Sequence, residues 1–175
     1  MPKIIEGARE KILVNAKKRL FENGYQHLSL REVAKESGIA TGTIYNYFAN
    51  KDYLIAHIML EDWEIVMRKI GDRLENASCV KDGILGICDY IDEFCEIYLP
   101  VWQQPSVAAA ATPDMGHCHE FLAGQIMEKV DWLLEQKGYG QKKQFSALIT
   151  ELILTFNGKD RVREEFAVLL DHLYP

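Results

Sequence analysis

A chain of 175 residues with 48% apolar and 26% charged side chains has the composition of an ordinary soluble globule. No run of about 18 apolar residues occurs, so a membrane-spanning helix is not expected. Lys3, Glu6, Arg9, Glu10 and Lys11, mixed among the first apolar residues, argue against a signal peptide. Cys79, Cys88, Cys95 and Cys118 show neither a CxxC pair nor zinc-ligand spacing, and read as reduced thiols of a cytoplasmic protein. The formal charge of −6 is unevenly distributed. Residues 1–51 hold nine Lys/Arg against five Asp/Glu, a net of +4, and the remainder eleven against twenty-one, a net of −10. A basic head on an acidic body suits a protein that meets phosphate with one end only.

The first predicted element covers residues 4–23, where Ile5, Ala8, Ile12, Ala16 and Leu20 recur at three- and four-residue steps. Gly24 stops it. Lys17, Lys18 and Arg19 form a basic cluster with two readings, a solvated helix face, which is favoured, and a DNA contact. From Ser29 to Lys51 the chain reads as two short helices about a glycine turn. Ser29 and Glu32 have the spacing of an S-x-x-E capping box. Gly38 stands where a helix end requires a left-handed residue, after Leu30, Val33 and Ala34. A second run starts near Thr41 with Ile44, Tyr45 and Phe48. Helix, glycine turn, helix is the outline of a helix-turn-helix, whose second helix can enter the major groove of DNA.

The wording of this stretch resembles the DNA-binding domain of the TetR family of bacterial transcriptional repressors, through Val33-Ala34, Gly38-Ile39, Gly42-Thr43-Ile44-Tyr45-Asn46-Tyr47-Phe48 and Lys51. The resemblance covers about the first third of the chain. It implies an all-α protein with a three-helix DNA-binding domain in residues 1–50 and a helical ligand-binding and dimerisation domain in residues 51–175. Val33, Ala34, Ile39, Ile44 and Phe48 are then the small core, with Gly42 keeping the recognition helix close to its neighbours. Ser29 is assigned both a cap and a phosphate contact, as helix starts attract anions. Thr41 and Thr43 are assigned to base edges, since a threonine presents a hydroxyl and a methyl group. Tyr45, Asn46, Tyr47 and Lys51 are assigned to the DNA backbone or nearby bases, with packing as a second reading of Tyr45. Two departures stand out. Ala40 replaces the usual serine, which makes Thr41 the candidate cap and would draw it from DNA. Arg and Lys are absent from Thr41 to Ala49, so bidentate guanine readout from that helix is not expected.

Asn50 reads as the cap of a long helix carrying Leu54, Ile58, Trp63, Ile65, Met67 and Ile70 and ending near Gly71–Asn76. The next helix, 80–99, carries Ile84, Cys88, Ile91, Cys95 and Tyr98, and Pro100 is expected to end it. Cys88 and Cys95 lie two turns apart on one helix, too far for a disulfide. His117-Cys118-His119 is a possible metal or catalytic cluster, but adjacent helical residues diverge by roughly 100°, and a simple helix start is the favoured reading. No nucleophile elbow, P-loop or dinucleotide fingerprint occurs, so no enzyme and no metal site are expected. Helices are expected over 119–137, 142–157 and 159–173. The middle one is apolar on most of its surface (Phe145, Leu148, Ile149, Leu152, Ile153, Leu154, Phe156), which calls for a covering partner. The last shows Val162, Phe166, Leu169, Leu170 and Leu173.

The resulting expectation is a homodimeric repressor that binds a palindromic operator and is released by an unidentified small-molecule effector, with no cofactor and no membrane attachment. The dimer interface is assigned to Leu148, Leu152, Phe156, Phe166, Leu169 and Leu170. The effector pocket is assigned to Trp63, Met67, Phe94, Tyr98, Trp102 and Phe121, each equally readable as core. A DNA-binding protein with a filled core, and a dimerising interaction protein that no longer binds DNA, are the competing readings.

Overall fold

The computed structural model describes residues 7–102, 118–156 and 160–175. All regular structure among them is helical. The helices are α1 (Ala8–His27), α2 (Leu30–Glu36), α3 (Thr41–Ile44), α4 (Lys51–Glu75), α5 (Val80–Trp102), α6 (Cys118–Gln136), α7 (Ser146–Phe156) and α8 (Asp160–Leu173), with a 3-10 segment at Gly140–Phe145. No described helix is long and apolar enough to cross a membrane. Two compact units result: residues 7–62 with 100–102, and residues 63–99 with the described part of 118–175. The division falls within α4 after Asp62, and α1 reaches Glu61 from Arg9 and Asp62 from Lys17.

In the first unit, Ala8, Ile12, Ala16 and Leu20 of α1 are buried at the predicted spacing. Gly24 breaks the helix with φ 75° and ψ 169°. Only glycine enters that region without strain. α2 packs on α1 and α3, and ends in a complete Schellman motif. Gly38 has φ 70°, its amide donates to Lys35 O at 3.2 Å, and the Ile39 amide donates to Ala34 O at 3.0 Å. The second helix of the pair is shorter than expected. α-Helix lasts only from Thr41 to Ile44, and the chain then tightens, with Asn46 N–H bonded to Thr43 O and Tyr47 N–H to Ile44 O. The core reading holds for Val33, Ala34, Ile44 and Phe48, each at most 1% exposed, but Ile39 is half-buried. Gly42 has no close neighbour, since a Cβ there would meet nothing within 4 Å. The close approach expected of Gly42 is therefore absent.

The second unit is built from the rest of α4, α5, α6, the 3-10 segment, α7 and α8. Ile84, Ile87, Ile126, Val130, Leu133 and Leu134 are fully buried. Gly83 lets α5 in close, as a Cβ there would lie 2.5 Å from Leu133 Cδ2. α5 opens with a cap that its residue types do not advertise. The Asp82 amide donates to Cys79 Sγ at 3.5 Å, and the Asp82 carboxylate accepts the Ser78 amide at 2.7 Å. Arg73 and then Ser78 hold the Asp82 carboxyl down at about 2. Pro100 does not end α5, which runs to Trp102. Near a helix end the ring removes one amide from the ladder without breaking it. α6 closes as predicted on Gly138, φ 83°, with the Tyr139 amide on Leu134 O at 2.7 Å. Arg163 ties α8 to α5 through Asp89, Asp92 and the Leu85 carbonyl. His117 and the side chains of Trp102, Cys118, His119 and Phe156 lie outside the described residues, and so do the metal, pocket and interface roles considered for them. Among the described residues no group of three or more metal-ligating side chains occurs.

Gly24 yields a direct test. A Cβ at that position would meet nothing within 4 Å, so Gly24→Ala adds backbone strain alone. That strain is of order 1–3 kcal/mol, and the expected outcome is a matching fall in the urea midpoint. A variant as stable as the parent would show that the break is relaxed.

Candidate nucleic-acid interface

The site grows from one constraint: the recognition segment has too few helical residues to stand alone, and Ile44 and Phe48, 0% and 1% exposed, anchor it to α1, α2 and α4. With these two facing inward, the polar residues between and before them face out. Thr41 and Asn46 are exposed, Tyr45 is 54% exposed, and Thr43 and Tyr47 are half-buried. The exposure of Tyr45 rejects its packing reading. Ala40, extended at φ −66° and ψ 142°, takes the N-cap position of α3 without any side-chain bond. Thr41 is therefore the first helical residue and is not drawn into the cap.

The expected capping box on α2 does not form. Ser29 occupies the N-cap position but makes no side-chain cap bond. Glu32 instead receives Arg19 Nη1 at 2.6 Å, and Glu36 receives the other face of the same guanidinium at 2.8 and 2.7 Å. A charge-assisted fork outcompetes a single reach back to a backbone amide. The pairing holds the Glu36 carboxyl below its usual range, and it leaves the Ser29 hydroxyl clear of the helix end. It also decides the reading of the α1 cluster. Lys17 pairs with Asp62 and Arg19 with Glu32 and Glu36, so these two cations are structural; Lys18 lies 3.9 Å from Glu22.

Beside the recognition segment an open groove is lined by His27, Ser29, Arg31, Glu32, Lys35, Ile39, Ala40 and Thr41. It joins two assigned residues, Ser29 and Thr41, to three basic side chains that the sequence reading passed over. The signal was present: Arg31 and Lys35 stand four apart on a helix whose apolar face is Leu30, Val33 and Ala34. α2 thus supplies the positive charge that Thr41 to Ala49 lacks. Lys51 lies elsewhere, against Tyr25 at the start of α4.

Behind the segment, His57 of α4 stands edge-on to Phe48 and Tyr53, with ring centres 5.6 and 4.6 Å away. Its Nδ1 accepts Arg9 Nη2 at 3.4 Å, and Arg9 also donates to Glu61 at 3.0 Å.

The family model described as "Bacterial regulatory proteins, tetR family" matches residues 12–58, the segment from α1 into α4. Over 150 residues the chain is 26% identical to the HTH-type transcriptional regulator UidR of Escherichia coli, covering 81% of this chain and 74% of that one. Residues 12–58 are thus a DNA-binding segment of the tetR type. The chain is a helix-turn-helix transcriptional regulator. Its fold is that of the reduced form of Escherichia coli NemR, with a TM-score of 0.65 at 16% identity over 96% of this chain and 98% of that one. It is also that of the Bacillus subtilis regulator FadR in complex with stearoyl-CoA, with a TM-score of 0.55 at 17% identity over 92% and 96%.

Of the remaining assigned residues, Trp63, Phe94 and Tyr98 come together. The rings of Trp63 and Phe94 are 5.1 Å apart and those of Phe94 and Tyr98 4.8 Å, with Gln125 accepting the indole N–H. Met67 is buried as well, whereas Phe121 is 53% exposed and stands outside this cluster. The interface set divides. Phe166 and Leu170, 3% and 0% exposed, are interior residues of a single chain, which corrects their assignment to a dimer surface. Leu169, next to Leu170 on α8, is 42% exposed, and Leu148 on α7 is 55% exposed.

Two outcomes are expected. Arg31→Ala and Lys35→Ala should each weaken DNA binding alike for all sequences and lower the salt dependence of log K by about one. Anisotropy titrations across a salt series read this, and an unchanged slope would remove α2 from the interface. The second concerns pH. Burial, then the Arg9 cation, lowers the His57 pKa from its ordinary 6.5, against Glu61. The unfolded chain therefore takes up this proton first as pH falls through 6.5, and stability drops until the lowered native value is passed. Urea midpoints should fall between about pH 8 and about pH 5.5, and His57→Gln should flatten that difference.

Proposed function

We propose that this regulator is a homodimeric repressor that leaves a palindromic operator when a small apolar molecule binds its second unit. The observation that carries the DNA part is the exposed set Thr41, Tyr45 and Asn46 beside a groove that Ser29, Arg31, Lys35 and Thr41 help to line. Threonine at the start of the segment suits thymine methyl groups and base-edge acceptors, while Arg31 and Lys35 suit phosphate. Without Arg or Lys between Thr41 and Ala49, an operator rich in A·T pairs at the contacted steps is the better fit.

Support for a dimer comes from apolar side chains turned outward on the last two helices: Leu148 and half-buried Leu152 on α7, Val162 and Leu169 on α8. A two-fold arrangement would present two recognition segments about 34–36 Å apart. The cytoplasm is the compartment that fits, since DNA is there and the thiols of Cys79, Cys88 and Cys95 are free. For the effector, the buried aromatic group of Trp63, Phe94 and Tyr98 favours an apolar or aromatic molecule. FadR, a protein of the same fold, is bound to stearoyl-CoA. An effector acts only through its preference for one of two dimer states. The tight packing of those rings also favours a second reading, a regulator with a filled core that answers to no small molecule.

The deciding experiment is fluorescence anisotropy with DNA from upstream of the protein's own gene, followed by thermal-shift screening of fatty acyl and aromatic compounds against release of that DNA. Site-selective binding relieved by a compound that raises the melting temperature is the expected result. Selective binding that no compound relieves would favour the filled core, and binding no better than to random DNA would defeat the operator reading. Leu148→Glu with Leu169→Glu should yield a folded monomer in sedimentation, because both are exposed on a single chain, and operator affinity should fall steeply. A dimeric double variant would place the interface elsewhere.

A further inference from the structure

The backbone at Gly24, φ 75° and ψ 169°, turns the chain out of α1, and Tyr25 comes to rest against the first turn of α4. Three contacts join them. The Tyr25 hydroxyl donates to Asp52 Oδ1 at 2.7 Å. The Lys51 ammonium donates to the Tyr25 carbonyl oxygen at 3.2 Å. The same ammonium lies 3.9 Å from the centre of the Tyr25 ring. Both surfaces that Tyr25 offers to Lys51, a carbonyl oxygen and an aromatic face, are electron-rich and attract a cation. Asn50 holds the other side of the joint by accepting the Tyr53 amide at 2.7 Å, which fixes the turn that carries Lys51 and Asp52.

The place of this joint in the chain gives it its consequence. Tyr25 stands just before α2, and Lys51 just after the recognition segment that ends at Phe48. The joint therefore closes residues 26–50 at their base, and opening it would return conformational freedom to that whole stretch. A helix of four residues has little stiffness of its own, so the angle at which it meets a groove depends on how its two ends are held. Lys51 is also a poor phosphate contact in this geometry, because leaving Tyr25 for DNA would cost it both the carbonyl bond and the ring.

We propose that Lys51 acts on DNA binding as a positioning residue through Tyr25, in a Tyr25–Lys51–Asp52 clamp that sets the presentation of α2 and the recognition segment, and that it makes no phosphate contact. The inference rests on DNA binding by this head. It departs from the phosphate role that the family resemblance gives to Lys51, and it adds Tyr25, which carried no role.

The test uses the full-length protein and a short duplex that the wild type selects from a random library. Anisotropy titrations over a salt series compare wild type, Lys51→Met, Tyr25→Leu, Tyr25→Phe and the Lys51→Met, Tyr25→Leu double variant. Stoichiometric titration sets the active fraction, so that a loss of folded protein is not read as a loss of affinity. A clamp predicts that Lys51→Met and Tyr25→Leu weaken binding by similar factors and that the double variant is no worse than either single one. It also predicts that the slope of log K against log salt stays at the wild-type value. Tyr25→Phe, which keeps the ring and loses the Asp52 bond, should fall between. A phosphate contact predicts the reverse: Lys51→Met lowers the slope by about 0.9 per contact, and Tyr25→Leu leaves affinity unchanged. That pattern would overturn the clamp while leaving the DNA-binding reading intact. Failure of the wild type to select any duplex would overturn both.

Discussion

The head depends on the burial of two side chains, Ile44 and Phe48. A run of four α-helical residues is far below the length at which a helix is stable in water. Its conformation is supplied from outside, by the apolar floor of α1, α2 and α4 on which Ile44 and Phe48 sit. Replacing Phe48 by alanine would forfeit about 3–5 kcal/mol of that support, comparable with the whole stability of a small domain. The outward direction of Thr41, Tyr45 and Asn46 follows from this inward pair, because side chains on one helical turn cannot all face one way.

Charge is arranged around this core with a consistent result. Four carboxylates of the first unit are drawn into internal pairs: Glu32 and Glu36 with Arg19, Glu61 with Arg9, and Asp62 with Lys17. Exposed pairs of this kind contribute little to stability. Their effect here is on the field. Negative charge that would oppose phosphate is neutralised on the α1 side of α2, while Arg31 and Lys35 line the groove beside Thr41. The net charge of the head understates how basic its open face is.

The second unit is organised differently. Its core joins aliphatic side chains to the buried rings of Trp63, Phe94, Tyr98 and Phe166; Gly83 admits α5 to it, and Arg163 ties α8 to α5. Burial pushes the Cys88 thiol up to about 12, which marks it as an inert core group. The apolar surplus of α7, so evident in the sequence, is resolved in part within one chain, since Ile149 and Ile153 are 1% exposed and only Leu148 and its neighbours remain outside.

By itself, the sequence determined the helical class, the order and approximate ends of the helices, the glycine turns at Gly24, Gly38 and Gly138, and the family resemblance of the head. All of these are local: periodicity, positive φ and capping are decided by residues within a turn or two of each other, as the Asn50 cap on the Tyr53 amide shows. Tertiary structure decided what depends on residues far apart in the chain. Glu32 reads as half of a capping box until Arg19, from another helix, takes it. Lys51 and Tyr25 stand 26 residues apart, and the break at Gly24 brings them together. Phe166 and Leu170 share a helix side with Val162 and Leu169 on paper, but only packing tells which of them meets the core. A side chain's neighbours in sequence limit its backbone; its partners in space are chosen by the strongest interaction the fold brings within reach.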